Sequence, residues 1–328
     1  MAQRIDKYLM EKYPNLSRAY IKRQIKLGNI LVGKEKVKPS YNLREGDLVG
    51  FAPGFAFPAE TKIQPNPEIK PKIIYENNNV IVIDKPAGIS VHPRQTKTGA
   101  PIEKEKNNTL VSGLLAYYPP LAGVGDPSTG SGQAPLEIRP GIVHRLDKDT
   151  SGVMIVAKNQ NSFDWLKKQF QERKVQKKYV ALIFGCPREN QGVIKTYLTR
   201  SETEPSKQKV ISGTDIVIPR RSEREAITEY KVTEKFKDFC LIEATPKTGR
   251  LHQIRVQFAW LDHPVAGDTK YGRKDTPAPA GLKRQFLHAA ELEITLPASP
   301  AGGLNGEKKT FFSPLPPELN EVLKGLKK

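Results

Sequence analysis

The sequence predicts an α+β protein in which a mixed, largely antiparallel β-sheet domain follows a small α/β domain. Three observations carry this. Beyond residue 72, runs of β-branched and apolar residues recur without strictly alternating with helical patterns, which disfavours a doubly wound sheet. The first fifty or so residues hold helix and strand signals of their own. Between the two, the chain is Pro-rich and shows no sustained period. At 328 residues the chain exceeds the usual single-domain size, so we expect a domain at 1–56, a linker at 57–71 and a second domain at 72–328.

In chain order, Ile5, Leu9 and Tyr13 recur at helical spacing until Pro14-Asn15-Leu16-Ser17 breaks the pattern and supplies an N-cap. A second helix is predicted from Arg18 to Leu27, with Ile21 and Ile25 on one face, Arg18, Lys22, Arg23 and Lys26 largely elsewhere, and Gly28 as C-cap. Ile30-Leu31-Val32 reads as a strand, with turns at Gly33-Lys34 and Gly46-Asp47 before Leu48-Val49. Val80-Ile81-Val82-Ile83 has the pattern of a strand buried on both faces and closes in a turn at Asp84–Gly88. Gly123 to Gly132 reads as a surface insertion; no Gly-Lys-Ser/Thr sequence follows to make it a phosphate loop. Val153–Val156 is a further strand, and Asn161 or Ser162 caps a helix carrying Phe163, Leu166 and Phe170. Tyr179–Phe184, Thr228–Val232, Leu241–Ala244 and Leu292–Thr295 complete the strands.

Lys and Arg number 53 against 35 for Asp and Glu, a formal +18, so a polyanion is the natural partner. Nucleic acid fits, because each cation that neutralises a phosphate releases a condensed counterion. A membrane fits less well: there is no long apolar run, no lipid-facing amphipathic helix and no lipidation signal. Met1-Ala2-Gln3-Arg4-Ile5-Asp6 lacks the apolar core of a secretory signal, so a cytoplasmic location is expected. Cys186 and Cys240 have no metal-type spacing and read as two buried apolar thiols rather than a disulfide scaffold or zinc site.

The run Gly141-Ile142-Val143-His144-Arg145-Leu146-Asp147-Lys148-Asp149-Thr150-Ser151-Gly152 resembles, without a gap, the signature of the RluA/RluD family of pseudouridine synthases. Further segments match in the family's order: Ile83–Gly88, Lys178-Tyr179, Thr248-Gly249-Arg250-Leu251-His252-Gln253-Ile254-Arg255, Gly267-Asp268 with Tyr271-Gly272, and Phe286–Ala289. The N-terminal unit is similar to the S4-type RNA-binding domain, with Ser17-Arg18 at a helix start and Gly28 before a short strand, although Gly33-Lys34 replaces the more usual Asn-Gly turn. The stretches at 94–108, 123–134 and 298–309 are insertions relative to the family pattern or between its segments.

The resemblance implies isomerisation of uridine in structured RNA, by preference large-subunit ribosomal RNA, with transfer RNA the alternative, by a monomeric enzyme. The reaction breaks the bond from ribose to the uracil nitrogen and joins the same sugar carbon to a base carbon, so no metal or other cofactor is demanded. It needs a carboxylate beside the sugar, as nucleophile or base. The resemblance gives that role to Asp147 and assigns Arg255 to pair with it, Tyr179 to the face of the flipped base and Arg145 to the space the base vacates. Arg255 is read as a strand residue. Asp149, the rival carboxylate, is expected to brace the Thr150–Gly152 turn; His144, Thr150, Arg250 and His252 are expected to support the motif loops or, for Arg250, to meet RNA phosphate. Arg18, Lys22, Arg23 and Lys26 are expected to lie over RNA phosphates. Two other readings stand beside this one: a non-catalytic RNA-binding protein of ribosome assembly, and a metal-free hydrolase built on Asp147 and Asp149.

Overall fold

The computed structural model describes residues 3–13, 18–55, 63–93, 105, 107–125, 139–211, 223–273, 276–297 and 306–327, with only the backbone of Ala19 and Tyr20. The expected N-cap at Ser17, the first part of the linker and most of the three insertions lie outside the described residues. Contacts divide the chain into one unit of residues 1–70 and 92–141 and another of 71–91 and 142–328.

In the first unit, helices α1 (Ile5–Lys12) and α2 (Arg18–Leu27) bury Ile5, Leu9, Ile21 and Ile25 together with Ile30 and Val32. Strand β1 (Gln3–Arg4) pairs with β4 (Asn42–Leu43), and β2 (Ile30–Val32) lies between β3 (Glu35–Lys36) and β5 (Val49–Phe51). Gly33 and Lys34 form the two-residue loop of the β2–β3 hairpin with φ of 55° and 74°. Two positive φ values define a type I′ turn, whose twist matches the strands it joins, so Gly-Lys reaches the geometry an Asn-Gly pair adopts more readily. Asp6 is fully buried and accepts hydrogen bonds from Arg4 and Arg18, with Lys22 at 3.6 Å. Burial pushes its carboxyl up, and the two guanidinium groups outweigh that and hold it below the ordinary range. Farther on, α3 (Leu110–Tyr117) is capped by Thr109, and the Pro-rich segment is tied to it through Asn66, whose N–H donates to the Ser112 carbonyl at 2.9 Å.

The second unit is built on one sheet of ten described strands. They are β6 (Lys72–Glu76), β7 (Val80–Lys85), β8 (Ser151–Ala157), β9 (Gln176–Phe184), β10 (Gln191–Arg200), β11 (Gln208–Ile211), β12 (Arg224–Lys235), β13 (Phe239–Pro246), β14 (Leu287–Thr295) and β15 (Lys308–Phe312). The order is β11-β10-β12-β13-β9-β14-β8-β7-β6, with β15 on β14. Every pairing is antiparallel except β14 with β8, where His288 faces Ser151 and Ala289 faces Gly152. That parallel pair sets the end of the signature run against the centre of the sheet.

Among the described residues, three helices belong to this unit: α4 (Gln160–Gln171), α5 (Gln253–Trp260) and α6 (Pro317–Leu326). The cap of α4 is Asn159, not Asn161 or Ser162; its side chain accepts the Ser162 N–H at 2.9 Å, so Ser162 is the donor three residues inside the helix. Arg255 sits on α5 and not on a strand. The segment hid its helix because Gln253 to Phe258 are all buried, leaving no polar stripe to mark a period. Gln257 instead donates to the Ala226 carbonyl and Thr196 Oγ1 while accepting from Thr228 Oγ1, so polar side chains replace apolar ones where α5 meets β10 and β12. The expectation of two separate thiols also fails: Cys186 and Cys240 are disulfide-bonded, with Cα atoms 5.4 Å apart. The β13–β9 register sets Cys240 opposite Ile183, and the turn at Gly185 (φ 65°) brings Cys186 back beside it.

Candidate active site

Asp147 lies in the turn that enters β8. Two cations, one fully and one largely buried, shape that turn. Lys85, fully buried at the end of β7, donates to the carbonyls of Pro86, Lys148 and Thr150 at 2.7, 3.0 and 2.9 Å. Arg284 donates to the Asp149 carbonyl and the Ser151 hydroxyl, each at 3.0 Å, and Gln285 donates to Thr150 Oγ1 at 2.8 Å. Three consecutive carbonyls after Asp147 are thus taken by charged donors, which fixes the backbone from which its side chain projects. Burial pushes the Lys85 ammonium down to about 7, with Asp149 and Asp147 opposing. Gly152 follows at φ 126°, packed so closely on the backbone of Ala289 that a Cβ has no room.

The Asp147 carboxylate is mostly buried and has Arg255 on one side: Nη1 donates to Oδ2 at 2.8 Å. The other edge of the same guanidinium is taken by Asp268, which accepts from Nε at 2.7 Å and from Nη2 at 2.8 Å. Asp268 is itself held by the N–H groups of Lys270 and Tyr271, and the Tyr271 ring lies under the guanidinium, 5.2 Å from its carbon. Burial works against the charge on Arg255, and the bonds to Asp268 and Asp147 overcome it and raise its pKa. Burial likewise pushes Asp268 up, and Arg255 more than reverses this. A bidentate clamp on one edge leaves the guanidinium a single direction in which to meet Asp147.

Tyr179 lies on β9, in register with Ala244 of β13 and Ala289 of β14, two small neighbours that leave its ring room. Burial, then the charge of Asp147, raises its phenol far above the ordinary range, so it remains protonated. His252 occupies the left-handed region at φ 54° immediately before α5. Gln253 holds that conformation by accepting from Thr248 Oγ1 and the Arg250 N–H while donating to the Ile227 carbonyl. The imidazole Nε2 then lies 3.8 Å from Asp147 Oδ1. Arg255 and His252, more than a hundred residues on in the sequence, thus flank the Asp147 carboxylate, and Tyr179 feels its charge.

Known proteins share this arrangement of elements. A family model described as RNA pseudouridylate synthase matches residues 79–260, and the S4 domain model matches residues 3–49. The chain belongs to the RluA family of RNA pseudouridine synthases. An uncharacterized RNA pseudouridine synthase of Aquifex aeolicus is 38% identical, covering 85% of this chain and 80% of its own. A Vibrio parahaemolyticus protein named ribosomal large subunit pseudouridine synthase C is 31% identical, covering 99% and 93%. Among solved structures, human RNA pseudouridylate synthase domain containing 4 superposes with a TM-score of 0.55 at 25% identity, covering 78% of this chain and 93% of that one. No helix among the described residues is long and apolar enough to cross a membrane.

Of the remaining family motif residues, His144 and Arg250 have their partners elsewhere. His144 accepts the Ile155 N–H on Nε2 at 3.0 Å and stacks on Phe170 at 4.6 Å; burial pushes its pKa down to about 3. Arg250 donates from Nε to the Glu225 carbonyl at 2.9 Å, and Arg145 is exposed beside Asp147 in the chain. In the other unit Arg18 and Lys22 attend Asp6, Arg23 is half-buried and Lys26 exposed. Sequence reasoning missed Lys85, Arg284, Asp268 and Tyr271, although three of the four lie within the matching motif segments. One signal was available: an arginine expected to serve a carboxylate inside a pocket needs a second acid for its other edge, and Asp268 is the acid inside a matching segment.

Proposed function

We propose that this synthase isomerises specific uridines of large-subunit ribosomal RNA, in the cytoplasm and as a monomer, with Asp147 as the reacting carboxylate. The observation that carries the chemistry is the chain Asp147–Arg255–Asp268, in which one carboxylate is aimed by a cation that a second carboxylate fixes. The preference for ribosomal RNA is supported by the S4 match and by the names of relatives such as that of Vibrio parahaemolyticus. The first 56 residues serve as the RNA-docking domain, through Arg18, Lys22, Arg23 and Lys26.

The target uridine is extruded at a cost of a few kcal/mol, and Arg145 fills the stack it leaves. The uracil lies against Tyr179, whose neutral phenol offers a π-face and a hydrogen-bond donor. Asp147 Oδ2 is committed to Arg255, so Oδ1 faces the ribose, as nucleophile at the anomeric carbon or as base at its neighbour. The C1′–N1 bond breaks, the base turns, C1′ bonds to C5, the C5 proton departs and N1 gains one. Asp147→Ala is expected to lower pseudouridine formation on deproteinised large-subunit RNA by about a thousandfold or more. Mapping the product on ribosomal and transfer RNA tests both halves of the proposal. Full activity of Asp147→Ala removes the catalytic assignment, pseudouridine confined to transfer RNA removes the substrate, and RNA binding with no product on either leaves a binding protein.

A further inference from the structure

His252 stands between a phenol and the Asp147 carboxylate. Tyr271 Oη accepts the backbone N–H of Gln208 in β11 at 2.8 Å and lies 2.8 Å from His252 Nδ1. A phenol has one hydrogen to donate, and among the described residues Nδ1 is the acceptor this one meets. With the phenol as donor, Nδ1 carries the lone pair and the neutral imidazole has its proton on Nε2. Nε2 lies 3.8 Å from Asp147 Oδ1, the oxygen that Arg255 does not take. The ring is aimed there because His252 is fixed in a left-handed conformation that residues other than glycine seldom adopt, held by the Gln253 network.

We propose that Tyr271 locks His252 in its Nε2–H tautomer, so that a neutral donor positions the free oxygen of Asp147. The proposal rests on Asp147 being the reacting group. His252 is a positioning residue and not an acid. The charged groups facing it are Asp147 and Asp268, which favour protonation, and Arg255 and Lys270, which oppose it; burial is the largest influence and takes the ring down to about 4, leaving it uncharged at neutral pH. At 3.8 Å the contact with Oδ1 exceeds a hydrogen bond. Bonds of this kind shorten when substrate excludes water and closes the site. A neutral donor serves better than a cation here: it orients the carboxylate without adding a second positive charge to the one Arg255 already supplies.

Long-range proton–nitrogen correlation spectra of the full-length protein labelled with 15N-histidine read the tautomer directly, the His252 signals being those absent from His252→Gln. The expected result is an unprotonated Nδ1 and a protonated Nε2 throughout the neutral range. Tyr271→Phe is expected to mix the tautomers and to lower kcat, with KM for ribosomal RNA little changed. His252→Ala is expected to lose about ten- to a hundredfold in kcat, the fold-change of one hydrogen bond to a charged group. His252→Gln, which keeps an N–H where Nε2 stood, is expected to recover most of that loss; a merely structural role would not separate Gln from Ala in kcat alone. A wild-type proton on Nδ1, or wild-type kcat in His252→Ala, overturns the proposal. Failure of the underlying assignment is a separate result, since Asp147→Ala would then be active whatever the tautomer.

Discussion

Lys85 has no solvent contact, and its ammonium reaches the turn that carries Asp147. An ammonium there is tolerable because three carbonyls accept its hydrogen bonds, and two of them, those of Lys148 and Thr150, belong to that turn. The sequence displayed Lys85 in a motif without showing its task, because nothing in a string of residues tells which of 53 cations is buried. Asp147 and Arg255 were legible for the opposite reason: their flanking residues recur as an uninterrupted pattern. Two of the motif histidines carry a testable consequence at this scale. Burial lowers His144 from 6.5 to about 3 and His252 from 6.5 to about 4. Between those values and 6.5 the unfolded chain binds more protons than the folded one, so stability rises with pH and is lost as pH falls through this window. Each histidine contributes a slope of up to about 1.4 kcal/mol per pH unit. Urea unfolding from pH 6.5 down to about 5, where most carboxylates still keep their charge, should show it. His144→Gln retains an acceptor for the Ile155 N–H and is expected to flatten that slope by about one proton; an unchanged slope would count against a buried neutral His144.

Among the elements, those with a period or a continuous apolar run were readable and those held by polar side chains were not. Val80–Ile83 and Val153–Val156 became neighbouring strands buried on both faces, as their composition required. The helix α5 escaped notice because its buried glutamines look like surface residues until their partners on β10 and β12 are known. The disulfide escaped for a related reason: its spacing of 54 residues acquires meaning only from the β9–β13 register. The parallel β8–β14 contact was equally invisible, although the sequence shows the residue on which it depends. Gly152 has φ 126° and abuts the Ala289 backbone, so Gly152→Ala must either move β14 or unwind the start of β8. We expect a loss of about 2–4 kcal/mol, the range of strained or overpacked buried substitutions. Hydrogen exchange should show the amides of β8 and β14 losing protection together. A change under 1 kcal/mol (about the scale of a surface substitution) with protection intact would mean the strands are not pinned at this position.

For the whole molecule, the formal charge of +18 was the first property to point at a polyanion, and it sets how affinity should respond to salt. What the charge count cannot tell is which cations are free to meet RNA. On α2, Arg18 and Lys22 share the buried Asp6 with Arg4, an arrangement that holds two of the four predicted RNA ligands in place before any RNA arrives. Lys26 is exposed and Arg23 half-buried, and their contribution can be separated from the chemistry because both lie outside the unit that holds Asp147. The variant carrying Arg23→Ala and Lys26→Ala is expected to raise KM for ribosomal RNA while leaving kcat and the histidine signals unchanged. Its logarithmic dependence of affinity on salt should be shallower than wild type by about 0.7–0.9 per phosphate contact removed. Counterion release predicts that the two enzymes converge at high salt, where the released ions no longer favour binding. Equal slopes with a raised KM would instead mean that the substitutions disturb the fold around Ile21 and Ile25, and equal KM at low salt would remove this face of α2 from the RNA interface.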